Sequence, residues 1–207
     1  GVRAASTGEF NARQDNPFKN HNLGHDSFGH DLPKQFWRLG DKPIIVHSFD
    51  YFHHHPAISA IVLVVAEPYV AYTSNILPRT RKSVHIIPGG ATRQDSVHSG
   101  LIALAGLKDY QNIDYVAIHD AARPLIPTNL LDGLIAALDN TNNNKKKIEI
   151  IGAVPVLLLA DSIKIIDKNN GQNNPTNNLA LIAGGIDRSQ LAAAQTPQLF
   201  RREIITK

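Results

Sequence analysis

The apolar pattern along the chain is strongest over residues 60–66, Ala-Ile-Val-Leu-Val-Val-Ala, where no polar position interrupts it. A short run that is apolar at every position predicts a strand covered on both faces, as in a parallel sheet. Runs at 114–118 and 148–156 predict further buried strands, and 84–87 a shorter strand. Between them the period lengthens. Ile45, Phe49 and Phe52 recur on one helical face after Pro43, a residue suited to a helix start. Val97, Leu101 and Leu104 mark a helix over 92–104, and Leu131, Leu134 and Leu138 mark another, with Thr128 as its expected cap. Strands alternating with helices predict an α/β fold, Rossmann-like and doubly wound, with a mostly parallel sheet. Extended runs at 161–166 and 179–182 flank an Asn-rich tip, which predicts a protruding β-arm over about 161–186. Residues 10–32 are polar and aperiodic and read as a loop.

The length of 207 residues suits a single domain over 1–207. Both ends are expected to be incomplete, because the chain starts at Gly1 and contains no methionine. The net charge of +3 is mild and its Lys and Arg residues are scattered, which suits a small anionic substrate better than nucleic acid. Lys145-Lys146-Lys147 reads as a solvated loop. No run has membrane-spanning length and no secretory signal is visible, so no membrane partner and a cytoplasmic location are expected. The absence of cysteine excludes disulfides and thiolate metal sites. His53-His54-His55 closes the first helix. A solvated helix end, where cationic His favours the negative dipole, is preferred there over a metal site or a His-rich metal-binding module.

The candidate chemistry gathers where the 114–118 strand runs into His119-Asp120-Ala121-Ala122-Arg123-Pro124. Proline cannot donate to a ladder and ends the strand. Ligands of open α/β sheets bind at the carboxyl ends of strands. Asp120 can hold a cation or a sugar hydroxyl, the alanines let a ligand approach the backbone, and Arg123 can fork onto a phosphate. The plain alternative is a surface turn with an Asp–Arg ion pair.

Five blocks, Pro33-Lys34-Gln35, Gly89 to Val97 (GGATRQDSV), His119 to Pro124 (HDAARP), Pro155-Val156 with Asp161 to Lys164 (DSIK), and Asp187-Arg188 with Gln195 to Gln198 (QTPQ), stand in one order. Together they resemble the 2-C-methyl-D-erythritol 4-phosphate cytidylyltransferases, from about Ala4 to Phe200. The stretch from Pro155 to Ser162 looks most like bifunctional versions that also carry a cyclodiphosphate synthase domain. The resemblance implies transfer of a cytidylyl group from CTP to methylerythritol phosphate, with release of pyrophosphate, in non-mevalonate isoprenoid synthesis. A phosphate monoester loses its second proton near a pKa of about 6, so the nucleophile needs no general base. Positioning and charge stabilisation remain, for which Lys, Arg and Mg²⁺ or another divalent cation are suited.

By resemblance, Lys34, Asp120 and Arg123 would be the catalytic group, with Asp120 also facing the metal. Ala4, Ala5, Gly8 and Arg13 of a first loop would cradle the triphosphate, and Gly90, Ala91 and Ser96 would lie against cytosine, with Arg93 and Asp95 in support. Ser162, Arg188 and Thr196 would contact the substrate phosphate. Arg188 would reach across from the partner subunit of a homodimer joined through the arm. The first loop departs from the family pattern at Ser6 and Phe10, where glycine and arginine are usual. The rival readings are a ribitol- or sugar-phosphate cytidylyltransferase and a degenerate nucleotide-binding domain without turnover.

Overall fold

A computed structural model describes residues 32–139, 150–167 and 181–206. The chain divides into two compact units: Gly1–Ala153 with Pro197–Lys207, and Val154–Thr196. Each is described in turn.

The first unit opens with a small hairpin, β1 (Arg38–Leu39) and β2 (Lys42–Pro43). It turns at Gly40, whose φ of +67° is a conformation that a side chain disfavours. Pro43 then starts helix α1 (Ile44–His54), which buries Ile45, Val46, Ser48 and Phe49. The 60–66 run forms β3 (Ala60–Val65), followed by α2 (Val70–Ile76) and β4 (Ser83–Pro88). Strands β3 and β4 pair in parallel, from Ala60 opposite Ser83 to Val65 opposite Pro88. Helix α3 (Arg93–Ala105) packs against both of them. The unbroken apolar run in β3 thus has the origin expected of it: a parallel strand between a helix and the core.

The next strand, β5 (Tyr115–Ile118), leads through the HDAARP turn to α4 (Leu130–Asp139). That helix begins two residues past the expected cap at Thr128. The Leu131 N–H instead donates to the Tyr51 hydroxyl of α1 at 3.3 Å, and the same hydroxyl faces the Pro127 carbonyl at 3.3 Å. The chain's last strand, β11 (Gln198–Arg201), runs antiparallel to β5 on one edge and to β6 (Gly152–Ala153) on the other, and a short helix α5 (Arg202–Ile205) follows. Among the described residues, β3 and β4 form a parallel two-stranded sheet, and β5, β11 and β6 form a separate antiparallel three-stranded one.

Two clusters form the core of this unit. Phe36, Ile45, Phe49, Leu63, Val65 and Ala121 belong to one, and Leu131, Leu134, Leu138 and Leu199 make the other. Burying each such large side chain stabilises by about 1.5–3 kcal/mol. A cavity of about 580 Å³ lies among β3, α3 and β5, bordered by Leu63, Val97, Leu101, Tyr115 and Ala117.

The second unit contains β7 (Val156–Leu158) paired antiparallel with β10 (Ala192–Ala194), and β8 (Lys164–Ile166) paired antiparallel with β9 (Ile182–Gly185). The β8–β9 pair lies inside the expected arm, whose tip at 168–178 is outside the described residues, as are 179 and 180. The single buried strand expected over 148–156 is corrected. Its described part is two short strands, β6 and β7, in different units. Pro155 separates them, a residue with no N–H for a ladder. Ile151, Val156, Leu157 and Leu158 are exposed, so apolarity there does not mark the interior. Among the described residues no helix is long and apolar enough to cross a membrane.

Candidate active site

The site is built at the carboxyl ends of β4 and β5. After β4 the chain turns through Gly89-Gly90 and enters α3 by a capping box. The Asp95 N–H donates to Thr92 Oγ1 at 3.1 Å, and the Thr92 N–H donates to Asp95 Oδ2 at 3.0 Å. Such reciprocal bonds satisfy donors that a helix start leaves over. The turn presses close on the helix. A Cβ added at Gly90 would lie 2.3 Å from Asp95 Cβ, and one at Gly89 would lie 2.7 Å from Ser96 Oγ. Ser96 is 1% exposed, and its hydroxyl is engaged on both sides. It accepts from the Gly90 N–H at 3.2 Å and donates to the Thr92 carbonyl at 3.0 Å. In this arrangement Ser96 shapes the glycine turn, while Ala91 stands exposed beside it.

Asp120 sits one residue after His119 at the end of β5 and lies between two guanidinium groups. Arg93 Nε, in the first turn of α3, donates to Oδ1 at 3.0 Å. Arg123 Nε lies 3.4 Å from Oδ2, and the Arg123 N–H closes a turn on the Asp120 carbonyl at 2.9 Å. The expected Asp–Arg pair therefore exists, and a second arginine reaches it from the other block. Arg93 was expected only as a supporting residue, and its spacing from Asp120 carries no local signal of the contact.

Sequence reasoning missed two residues behind this turn. Ser48 of α1 is buried and donates to the Ala121 carbonyl at 2.9 Å, fixing the turn against the helix. A serine on the apolar face of α1 was the available signal. His119 Nε2 lies 3.1 Å from the Arg123 carbonyl, which can only accept, so Nε2 carries the proton. Burial holds the His119 pKa down, to about 4, against the opposing pull of that bond and of Asp120. Its imidazole is neutral at physiological pH and packs 5.2 Å from the Phe52 ring.

Lys34 begins a single helical turn, Lys34–Phe36. Phe36 of that turn shares a core cluster with Ala121, so the Lys34 and Asp120 segments rest on one hydrophobic base. The Lys34 ammonium is exposed, 6.0 Å from the Trp37 ring centroid. Ala4, Ala5, Gly8 and Arg13 lie outside the described residues. Ser162, Arg188 and Thr196 belong to the second unit. Ser162 is exposed there, and Arg188 donates to the Ala160 carbonyl. Neighbouring Asp187 caps the turn Arg188–Gln190 by accepting from the Ser189 N–H at 3.0 Å. The bonds from Ser189 hold the Asp187 carboxyl below the usual range. The structure thus assembles Gly90, Arg93, Ser96, Asp120 and Arg123 into one constellation.

The family model for 2-C-methyl-D-erythritol 4-phosphate cytidylyltransferase matches residues 25–207. A bifunctional enzyme IspD/IspF from Rhizorhabdus wittichii is 37% identical over 175 residues, covering 84% of this chain and 38% of that protein. A 2-C-methyl-D-erythritol 4-phosphate cytidylyltransferase from Carboxydothermus hydrogenoformans is 31% identical, covering 87% of this chain and 67% of its own length. The chain thus spans well under half of the bifunctional relative. The crystal structure of 4-diphosphocytidyl-2C-methyl-D-erythritol synthase from Anaerococcus prevotii shares the fold, with a TM-score of 0.63 at 21% identity, over 82% of this chain and 66% of that one.

Proposed function

Because the chain belongs to the 2-C-methyl-D-erythritol 4-phosphate cytidylyltransferase family, we propose that the protein transfers a cytidylyl group from CTP to methylerythritol phosphate and releases pyrophosphate. The observation that carries the reading is the Arg93–Asp120–Arg123 constellation at the end of β5. It supplies two guanidinium groups and a carboxylate where a nucleotide and a phosphorylated alcohol must meet.

Each residue has a physical task in this reading. The Gly89-Gly90 turn carries no side chain, since one there would strike Asp95 or Ser96, and so offers bare backbone groups to the base. Arg93 and Arg123 offer N–H donors to phosphate oxygens as charge redistributes at the α-phosphorus. Lys34 adds a cationic charge toward that same phosphate group. The family resemblance gives Ser162, Arg188 and Thr196, all of the second unit, a role toward a substrate phosphate. Asp120 fits a divalent cation of the magnesium kind. It offers hard carboxylate oxygens, and such an ion is commonly held by one or two carboxylates together with substrate phosphates. Bound there, the cation would neutralise and orient the triphosphate.

The second unit supports a homodimer joined through the β-arm. Leu157, Leu158, Ile165, Ile166 and Ile182 are all exposed in it. A two-stranded arm is marginal alone in water, and a symmetric partner gives it a surface to bury against.

The test is pyrophosphate release by the whole protein with CTP, methylerythritol phosphate and Mg²⁺. Release is expected only when all three are present. Equal turnover with ATP would overturn the reading, as would transfer to ribitol phosphate at the same rate.

A further inference from the structure

The last turn of α1 carries a cluster that cytidylyl transfer does not use. Asp50, His53 and His54 occupy positions i, i+3 and i+4, which one helix face brings together. One ligand atom from each lies within 4.8 Å of the others. The details suit a metal ion. His54 Nδ1 lies 2.7 Å from the Asp50 carbonyl. That carbonyl can only accept, so Nδ1 holds the ring proton and Nε2 keeps its lone pair, the tautomer control seen behind metal-bound imidazoles. The His53 ring is held against Phe49, 5.5 Å between centroids and 8° from parallel. Its Nδ1 is buried with no hydrogen-bond partner. The negative end of the α1 dipole adds a further preference for positive charge. Lys42 already satisfies part of that preference, with Nζ 2.8 Å from Asp50 Oδ2.

We propose that Asp50, His53 and His54 form a Zn²⁺ site, with water completing the coordination. Two imidazole nitrogens and one carboxylate match the ligand preference of zinc and disfavour Mg²⁺, which takes oxygen donors. Lys42 is the built-in competitor: the metal must displace its ammonium from Asp50.

The experiment is calorimetric titration of the whole protein with ZnCl₂ under a large excess of Mg²⁺, with melting temperature followed in parallel. The chain contains ten histidines, so variants must assign the site. Zinc should bind and raise the melting temperature. His54→Ala and Asp50→Asn should each weaken binding by at least about tenfold, since even groups behind the ligands matter by about 10–100-fold. His54 is exposed, so its loss leaves the fold intact. Lys42→Ala should tighten binding severalfold. An isotherm for His54→Ala that superimposes on wild type would overturn the site, as would displacement of Zn²⁺ by Mg²⁺. Weaker binding in Lys42→Ala would overturn the competitor role.

Discussion

Gly90→Ala tests the turn that positions Arg93. The new Cβ would sit 2.3 Å from Asp95 Cβ and 3.3 Å from the Asp95 backbone. No rotamer relieves a Cβ–Cβ overlap, so the turn or the start of α3 must move. Movement breaks the reciprocal Thr92–Asp95 bonds, a cap worth about 1 kcal/mol. Overpacking adds about 1–3 kcal/mol. The sum is about 2–4 kcal/mol, and at about 2–4 °C per kcal/mol its midpoint lowers the melting temperature by about 6–12 °C. Gly89→Ala should cost less, because its Cβ would meet the terminal Oγ of Ser96 at 2.7 Å. Gly133→Ala is the control of opposite sign. Nothing lies within 4 Å of its Cβ, and alanine in a helix gains up to about 1 kcal/mol over glycine. Urea unfolding at constant m gives all three values. A Gly90→Ala midpoint within about 0.5 kcal/mol of wild type, the usual range for a harmless surface change, would show that the glycine turn is not held against α3.

Lys34→Ala should lower kcat by about 10²–10³, the cost of losing one group that stabilises transition-state charge, without changing the urea midpoint; normal kcat would make it a loop residue only. His119 should make stability pH-dependent. Its folded pKa is near 4 against an ordinary 6.5, so the unfolded chain takes up the proton first, and stability that is whole above pH 6.5 falls as pH drops toward 4. At 1.36 kcal/mol per unit the ceiling is about 3 kcal/mol, which partial exposure reduces to about 1–2. Urea midpoints at pH 7 and pH 5 should therefore diverge more for wild type than for His119→Asn, and equal losses would refute the burial. Refolding Lys34→Ala together with Arg188→Ala should restore activity in mixed dimers, because one site then carries both lesions and the other neither. No recovery with mixed dimers present would remove the proposed cross-subunit role of Arg188.

What the sequence disclosed was local. The apolar run of β3, the start of α1 at Pro43 and the helix entered at Thr92 depend on neighbours a few residues apart, and each lies within a residue or two of its expected place. The turn after β5 was legible because strand, acid, small residues, arginine and proline follow one another directly. Long-range pairing was not legible. Nothing in Gln198–Arg201 discloses an antiparallel partner at Tyr115, and the reach of Arg93 to Asp120 spans two blocks. The 148–156 run misled because apolar residues mark surfaces awaiting cover as well as interiors. His55 was grouped with a solvated helix end, yet it is 8% exposed, accepts from the Ala57 N–H and faces Asp132 across 3.3 Å. Triplets read as composition hide the separate fates of their members.

The carboxylate of Asp120 stands between two guanidinium groups, so the trio presents one net positive charge where the arginines alone would present two. An arriving phosphate therefore meets an exchange of partners and not a simple addition. A monovalent anion gains little by it. It would have to pull a guanidinium from a carboxylate and would leave the acid uncompensated. A polyanion that brings its own cation avoids this loss, because cation and carboxylate pair as phosphate and guanidinium do. Chloride or buffer phosphate should then compete poorly with such a ligand.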